Sequence, residues 1–300
     1  MRQLIDIVSN EKSFKHPLIG SPRLNRLGLH SARVIGADLC SRMRRIGAGR
    51  AASDLRARLW RDGFLVIGNL LPAALLEPAR REFAQRLTEH ETEVPSPRVA
   101  SRGFGRRLPN DGGFDRADGG SLNRFITLDG RCPLLLGAFA ENLALRGLLR
   151  ALTGVAVKPD AFTLYQLVHG DETVNPDPQR QWHCDTFHDT FKLWYFFEPV
   201  TVHDGPLLFA PGTHRSGGAR RRWERHQVLV NGASSSAFRV GADDLARLSG
   251  GEAPQAVLAP ANSLVLANTR GFHCRGLAPE GTVRQGLYAN LRPHAFGLRP

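Results

Sequence analysis

The segment QWHCDTFHDT carries two residues of metal-ligating type at a spacing that brings them together. His183 and Asp185 lie two residues apart, and side chains at positions i and i+2 of a strand project from the same face. His273, in the later segment GFHCRG, supplies a third ligand from another β-type run. Two histidines and one carboxylate leave three positions of the ion open, which suits Fe(II) that must also bind a bidentate cosubstrate and O2. The sequence therefore predicts a metal site of His183, Asp185 and His273 that is catalytic through the bound iron.

Three other histidines compete for this role, since an HxD pair alone is common by chance. His188 lies five residues after His183, an offset that points to the opposite face of a continuing strand. His203, in the segment HDG, is typical of a turn, and His214 follows a Pro-Gly turn, where we expect it to order the loop. None of the three is expected to bind the metal.

Arg284 lies 11 residues after His273, in the predicted strand VRQGLYANL. A guanidinium inside a barrel can bind the far carboxylate of a dicarboxylate cosubstrate through paired charge-assisted hydrogen bonds. The near carboxylate and ketone would then chelate the iron. Tyr288 shares the face of Arg284 by alternation and is a second candidate for binding the cosubstrate. Gln166, on the strand before the metal segment, is a third, although a core position is equally compatible with its pattern.

The substrate candidates come from the neighbouring segments. Tyr165 and Trp194 lie on predicted strands, where they could contact substrate or fill the core. Residues 101 to 124 contain six glycines and almost no apolar periodicity, so we expect a lid without packed structure. Asn123 and Arg124 end this lid candidate and could contact the substrate.

From residue 160 onward, short β-type runs separated by Gly, Pro and Asp replace the helical patterns of the first half. Such runs without intervening helices predict a mainly β fold with flanking helices, a jelly roll. We place its domain at residues 51–300, after a basic extension at residues 1–50. The predicted strands are FTLYQLV (162 to 168), KLWYFFE (192 to 198), PLLFA (206 to 210), HQVLV (226 to 230), SLVLAN (263 to 268), GFHCRG (271 to 276) and VRQGLYANL (283 to 291).

Within the extension, Leu24, Leu27, Val34, Ile35 and Leu39 recur at helical spacing and predict a helix. Packed against the main domain this helix would be structural, and exposed it could lie on a membrane surface. We favour packing, because Gly28 and Gly36 would weaken an isolated helix.

Composition limits the classes of partner and compartment. The formal net charge is +12, but 36 of the 40 basic residues are Arg spread over most of the chain, so no nucleic-acid partner is expected. The basic run from 215 to 225 is compatible with a small-molecule substrate that is anionic or bound to a carrier.

The four cysteines have neither CxxC spacing nor the density of a disulfide-stapled domain, and no apolar run resembles a secretion signal or membrane span. We expect a cytoplasmic protein.

The chain resembles the phytanoyl-CoA dioxygenase family of Fe(II) and 2-oxoglutarate-dependent oxygenases over roughly residues 55 to 295. RDGFLVIGNLLP is similar to the family's opening strand and helix start, and WHCD to its WHxD segment. DGPLLFAPGTHR is similar to its Gly-Pro-Leu and Pro-Gly-Ser-His turn, with Thr213 in place of serine. His273 and Arg284 stand where the family has its third ligand and its cosubstrate arginine.

The resemblance implies a double-stranded β-helix, which is a squashed, cupin-like jelly roll. It also implies that 2-oxoglutarate and O2 are converted at the iron into succinate and CO2 while a substrate C–H bond is hydroxylated. Relatives that halogenate replace the carboxylate ligand, so Asp185 favours hydroxylation, with desaturation, ring closure and epimerisation still open. Two alternatives remain: a cupin-type metalloenzyme without 2-oxoglutarate, and a non-catalytic binding module on the same fold.

Overall fold

A computed structural model describes residues 2–48, 52–93, 107–110, 113–171, 173 and 175–298. Its strands form two antiparallel sheets, and the fold is a double-stranded β-helix with flanking helices, as the sequence predicted. The strands are β1 (Phe64–Ile67), β2 (Arg107–Asn110), β3 (Gly113–Asp118), β4 (Ser121–Thr127), β5 (Phe162–Val168), β6 (Phe191–Phe196), β7 (Leu207–Phe209), β8 (Gln255–Val257), β9 (Ser263–Asn268), β10 (His273–Arg275) and β11 (Val283–Leu291).

The larger sheet has the strand order β1-β9-β6-β11-β5-β4-β3-β2, and the smaller has the order β10-β7-β8. Consecutive strands of the chain are mostly not neighbours, so the connections cross between the sheets. Strand β11 pairs with both β5 and β6 at the centre of the larger sheet. At this centre Gly286 comes so close to β6 that an added Cβ would lie 1.9 Å from the carbonyl oxygen of Tyr195. Only glycine fits there.

Apolar side chains from both sheets meet between them. Phe196, Val265 and Ala267 of the larger sheet pack with Phe209 and Val257 of the smaller one. Strand alternation directs these residues inward and gives the barrel its own core. Apolar side chains therefore fill the interior of the barrel next to β1, β9 and β7. The metal-ligand candidates lie farther along the same interior.

Helices cover the outer face of the larger sheet. Leu193, Leu264 and Leu287 of the sheet pack against helical residues such as Phe83 and Leu149 in the largest apolar cluster. The helices are α1 (Arg2–Ile7), α2 (Pro22–Arg26), α3 (Leu29–Gly47), α4 (Ser53–Asp62), α5 (Ala73–Glu93), α6 (Pro133–Leu135) with a π-helical turn (Leu136–Ala140), α7 (Leu143–Thr153), α8 (Gly218–Leu229) and α9 (Ala242–Leu248). Among the described helices, none has both the length and the apolar composition needed to cross a bilayer.

The N-terminal extension packs against the barrel through only some of the residues that its apolar pattern selected. Val34, which the pattern included, and Ala37 of α3 pack against Phe187 near the metal segment. Ile35 and Leu39, in contrast, are exposed. The periodicity predicted a helix but only part of its buried face, because much of the buried side of α3 consists of polar residues that form hydrogen bonds. These are His30, Arg33, Ser41 and Arg44.

Two predictions from composition were wrong. The glycine-rich segment 101 to 124 is not free of packed structure, because residues 107–110, 113–118 and 121–124 belong to β2, β3 and β4. Its glycines 119 and 120 form the turn between β3 and β4, and the residues of these two strands pair in register. Residues 101–106, 111 and 112 of the lid candidate lie outside the described residues. The predicted strand 226 to 230 is the end of helix α8, whose apolar residues follow a polar helical run.

Candidate active site

The two histidines of the predicted metal site are held side by side by the backbone. His183 N donates to His273 O at 3.0 Å, and His273 N donates to His183 O at 2.9 Å. This reciprocal bridge joins an irregular segment to the first residue of β10, and it brings the two imidazole centroids to 4.5 Å. Asp185 N is fixed in turn by Thr269 O at 2.8 Å. The three side chains thus depend on backbone bonds between segments about 90 residues apart.

The ligand atoms of His183, Asp185 and His273 all lie within 4.8 Å of one another. Asp185 Oδ1 is 4.0 Å from His183 Nε2 and 3.9 Å from His273 Nε2. Each histidine bonds through Nδ1 to the carbonyl two residues before it, His183 to Gln181 at 2.7 Å and His273 to Gly271 at 2.9 Å. A carbonyl only accepts, so each Nδ1 carries the proton and each Nε2 presents its lone pair to a metal.

The protonation states also suit a metal. Burial, together with the neighbouring His273, lowers the pKa of His183 to about 3. Burial likewise lowers the pKa of His273. Burial alone would raise the pKa of Asp185, but Lys192 and the two imidazoles outweigh that effect and hold the pKa well below its usual range. Two neutral imidazoles and one carboxylate are the forms that ligate a divalent ion.

The fit to a metal has further support in an atom without a partner. His273 Nε2 is buried and forms no hydrogen bond with any described residue. An unpaired buried nitrogen is costly, and a bound cation would remove that cost.

Two ammonium groups lie close to Asp185. Lys192 Nζ is 2.8 Å from Oδ2 of its side chain, and Lys12 Nζ is 2.8 Å from its backbone oxygen.

His183 and His273 line a cavity, and Arg284 is part of the same wall. Arg284 Nη1 donates to Gly205 O, its side chain bonds to the hydroxyl of Tyr165, and its buried Nε has no partner among the described residues. Tyr165 in turn donates to Asn123 Oδ1 at 3.3 Å. One part of the wall is apolar and consists of Phe196, Val200, Leu207, Val257 and Val265.

Four of the predicted contact residues line this cavity: Tyr165, Trp194, Tyr288 and Asn123. Their shared position follows from strand alternation, because Tyr165 on β5 and Tyr288 on β11 face the interior of the barrel. The rings of these two tyrosines lie 5.8 Å apart, and that of Trp194 lies 5.9 Å from Tyr288. The cavity wall therefore includes a cluster of aromatic rings, Tyr165, Trp194 and Tyr288.

Gln166 and Arg124 are placed differently from the prediction. Gln166 Nε2 donates to Glu91 Oε1 on helix α5 at 3.2 Å, and Arg124 pairs with Asp115 at 3.2 Å. Both side chains lie on the outer face of the sheet. The reason is again alternation: Gln166 follows the inward Tyr165 and Arg124 follows the inward Asn123, so neither can share its neighbour's face. We therefore withdraw both residues as cosubstrate or substrate contacts.

The sequence-based analysis missed a second arginine in the cavity. Arg275 bonds to Asp177, donates from Nη2 to Asn123 Oδ1 at 2.9 Å, and lies 3.5 Å from Asp118. Arg116 pairs with the same Asp118 at 2.7 Å. A signal was available for Arg275, because it stands two residues after His273 on the same strand and must share its face.

The competing histidines are placed as expected. His203 is exposed in a turn. His214 is buried, and its Nε2 donates to the carbonyl of Trp60 at 3.1 Å, so it ties the loop after β7 to helix α4. His188 is buried and bonds through Nδ1 to the Thr186 hydroxyl at 3.1 Å. None of the three belongs to the ligand group.

Comparison with known proteins gives a family and several similar folds. The structure is similar to that of the epimerase SnoN in complex with Fe3+, alpha-ketoglutarate and nogalamycin RO, at 16% identity over 80% of this chain and 86% of that chain, with a TM-score of 0.46. It is also similar to EctD from S. alaskensis with 2-oxoglutarate and 5-hydroxyectoine, at 14% identity over 84% and 83% of the two chains, with a TM-score of 0.47. HygX from Streptomyces hygroscopicus with nickel, 2-oxoglutarate and hygromycin B gives 13% identity over 80% and 86%, with a TM-score of 0.42.

No curated protein sequence matches the chain. The model of the phytanoyl-CoA dioxygenase (PhyH) family, however, matches residues 59–273, which is more than two thirds of the sequence and includes all three ligand candidates. This confirms the resemblance inferred from the motifs. The chain belongs to the phytanoyl-CoA dioxygenase family of Fe(II) and 2-oxoglutarate-dependent oxygenases.

Proposed function

We propose that this protein is an Fe(II)- and 2-oxoglutarate-dependent dioxygenase that hydroxylates an unactivated C–H bond of a small-molecule substrate. The observation that carries the proposal is the convergence of His183, Asp185 and His273, with the lone pair of a buried, unpartnered Nε2 on His273 directed at the shared point. Three ligands on one side of an ion leave the other side for a cosubstrate and O2.

Arg284 is the residue that we propose for the cosubstrate. Its buried guanidinium retains an Nε without a partner among the described residues, and it lines the same cavity as His183 and His273. 2-Oxoglutarate has a carboxylate at each end, so one end can ligate iron while the other pairs with Arg284. Tyr288, which lines the same cavity, would contact the bound cosubstrate from the aromatic side.

When bound, iron with 2-oxoglutarate and O2 supplies the oxidation: one oxygen atom enters the substrate, the other enters succinate, and CO2 leaves. The residues of the chain bind and orient. His183 and His273 are fixed by carbonyls that set their tautomers and would hold the metal, while the apolar part of the cavity wall would exclude water from the site. Trp194 and Asn123 lie where the substrate would approach.

We also propose that residues 51–300 form the catalytic domain and that the extension 1–50 packs on it, supported by the buried pair of His30 Nε2 and Glu224 Oε2 at 2.9 Å. The reaction would take place in the cytoplasm. Its reducing conditions suit four cysteines that are all free thiols.

The test is the visible spectrum of the full chain after anaerobic addition of Fe(II) and 2-oxoglutarate. We expect the weak charge-transfer band of chelated 2-oxoglutarate, its loss in His183→Ala, and a higher 2-oxoglutarate requirement in Arg284→Ala. Arg222→Ala, an exposed arginine on helix α8, is the matched control and should keep the band.

Two other outcomes would change the assignment. If iron binds but no band forms, the 2-oxoglutarate assignment is wrong and a cupin-type metalloenzyme without this cosubstrate takes its place. If iron does not bind, the protein is a binding module on an oxygenase fold. Where the band is present, succinate release with candidate substrates identifies a substrate. The mass of the product then separates hydroxylation, which adds an oxygen atom, from epimerisation, which leaves the mass unchanged, and from desaturation or cyclisation, which both remove two hydrogen atoms and are told apart by NMR.

A further inference from the structure

Helix α3 has a row of aliphatic side chains on the side that faces away from the barrel. Their spacing of four, four and three residues places them above one another on the helix, opposite the buried Val34 and Ala37. These residues, named the α3 stripe, are Ile35, Leu39, Met43 and Ile46, which are 44%, 55%, 54% and 80% exposed. A contiguous apolar patch on a protein surface marks an interaction site.

Arginines flank the α3 stripe. A groove runs along one side of α3, and its wall includes Ile35 and Leu39 together with Arg42, Arg215 and Arg221. Arg42 and Arg215 are exposed, and Arg221 is half-buried. Arg215 and Arg221 donate to backbone carbonyls, which are neutral. The apolar stripe therefore has cationic groups beside it.

The two acids of the groove are engaged in ion pairs. Asp38 pairs with Arg270, and Asp189 lies 3.3 Å from Arg45 and 3.9 Å from Arg270. Asp38 also attracts Arg42. Two aspartates are nevertheless too few for the five arginines in the wall of the groove, so the groove carries a net positive charge.

Helices α2 and α8 lie beside α3 and extend the positive surface. Arg225 of α8 donates to the carbonyl of Arg26 of α2 at 2.7 Å, and Glu224 of α8 pairs with His30 of α3 at 2.9 Å. Helices α2, α3 and α8 have two, four and four arginines, but only two acids between them, Asp38 and the buried Glu224. The exposed charged residues of the three helices are all arginines: Arg23, Arg26, Arg42, Arg222 and Arg225.

We propose that the α3 stripe and the arginines around it bind the surface of a membrane that contains anionic lipids. Aliphatic side chains on the outside of a helix can enter the boundary between headgroups and acyl chains, and arginines pair with lipid phosphates. The inference goes beyond the proposed function and does not rest on it. The stripe is separate from the cavity of His183 and Arg284, whose lining residues all come from other segments.

The charge and shape of this surface favour a membrane over other occupants. A second copy of the chain would bring its own arginines against those of the first, and like charges across an interface are unfavourable. A protein partner is usually held by aromatic anchors, whereas the stripe is aliphatic and lies on the convex side of a helix. A nucleic acid would pair with the arginines and leave the stripe in water.

The experiment is co-sedimentation of the full chain with two kinds of vesicle. One kind consists of phosphatidylcholine alone, and the other of phosphatidylcholine with an equal part of phosphatidylglycerol. We expect binding to the anionic vesicles that weakens as NaCl is added, and much weaker binding to the neutral vesicles.

Variants of the α3 stripe locate the apolar part of the binding. Leu39→Gln and Met43→Gln should each weaken binding to the anionic vesicles about tenfold, because less apolar area enters the lipid. Leu277→Gln alters an exposed leucine in the loop between β10 and β11, and it should bind as the unchanged protein does. Because all three residues are exposed, the thermal unfolding of these variants should match that of the unchanged protein.

Arginine variants locate the electrostatic part. Arg42→Gln should weaken binding to the anionic vesicles about fivefold and reduce its dependence on NaCl. Arg81→Gln, at an exposed arginine of α5, is the matched control and should change neither property.

The inference is overturned if the chain binds neither kind of vesicle, if it binds both equally, or if Leu277→Gln weakens binding as much as Leu39→Gln does. A dimer in solution that Leu39→Gln dissociates would overturn it in favour of a second copy. The charge-transfer band of chelated 2-oxoglutarate is expected in all of these variants. A failure of vesicle binding and a failure of the proposed function are therefore distinguishable.

Discussion

The ammonium of Lys192 lies 2.8 Å from Oδ2 of Asp185, the carboxylate that completes the metal-ligand group. Both side chains are largely buried, so the attraction between them is only weakly screened. Lys192 therefore compensates the charge of Asp185 when no ion is bound. A divalent ion at the site must share the carboxylate with this cation, and the ammonium then opposes its binding.

Replacing Lys192 by methionine keeps the side-chain stem and removes the charge. We expect Lys192→Met to bind Mn(II) more tightly by about tenfold, and to lose about 2 kcal/mol of unfolding free energy without metal, because a charged hydrogen bond is removed. Calorimetric titration and urea unfolding measure the two effects. Lys158→Met, at an exposed lysine, should change neither. Weaker Mn(II) binding in Lys192→Met would mean that Lys192 instead holds Asp185 in its ligating orientation.

Gly205 supports Arg284 through its carbonyl, and its own conformation leaves no room for a side chain. Its φ is +60°, and an added Cβ would lie 2.4 Å from the ring of His169. We expect Gly205→Ala to displace that carbonyl and to raise the 2-oxoglutarate concentration needed for the charge-transfer band by about tenfold, with iron affinity unchanged.

Gly232→Ala is the matched control for this substitution. Gly232 has a φ of +61° but open space around it, so alanine there costs only about 1 kcal/mol of backbone strain. Its 2-oxoglutarate requirement should equal that of the unchanged protein. An equal rise in both variants would show that backbone strain, and not the contact with Arg284, is responsible.

The sequence identified residues that lie together in the structure, although strand alternation accounts for only one of the two pairs. Arg284 and Tyr288 share a face of β11 and line one cavity. His183 and Asp185 converge with His273 although their segment is irregular and not a strand. The choice of face was not predictable for an isolated strand. Tyr165 and Gln166 are neighbours, and either could face inward until the pairing partners of β5 are known.

Residues that act across long sequence separations left no local signal. Lys12 reaches Asp185 only because its backbone pairs with the segment 234 to 236, a contact that no local pattern reveals.

The strands at 113–124 were missed for a related reason. Their glycines and polar residues disfavour an isolated strand, and pairing with β5 together with buried ion pairs such as Arg124 with Asp115 overrides that preference.

Buried His214 should make the fold sensitive to acid. Burial lowers its pKa to about 4, below the unfolded value of 6.5, so the unfolded chain takes up a proton that the folded chain does not. The stability from neutral His214 is therefore complete above about pH 6.5 and declines as the pH falls toward 4, by about 1.4 kcal/mol per pH unit at most.

The measurement is the unfolding free energy at several pH values across this window, in EDTA so that no metal contributes. His214→Gln should show a shallower decline with falling pH than the unchanged protein. His203→Gln, at the exposed turn histidine, should keep the original slope. A slope unaffected by His214→Gln would assign the acid sensitivity to other buried groups such as His169, whose pKa burial also lowers to about 4.

Arg270 joins helix α3 to the barrel through a buried ion pair. Its guanidinium pairs with Asp38 of α3 and lies 3.9 Å from Asp189, which also accepts from Asn268 at 2.8 Å. Removing one partner of a buried pair leaves the other charge uncompensated, a cost of about 3–5 kcal/mol. We expect Arg270→Leu to lower the unfolding free energy by about that amount.

The matched substitution is Arg61→Leu, which removes an exposed arginine paired with its neighbour Asp62 at 2.8 Å. An exposed pair is screened by solvent and contributes little to stability, so this variant should unfold almost as the unchanged protein does. Urea unfolding of both variants, followed by far-ultraviolet circular dichroism, gives the comparison. If Arg270→Leu were as stable as Arg61→Leu, the attachment of α3 would depend on its apolar contacts, Val34 and Ala37 against Phe187, and not on the buried charges.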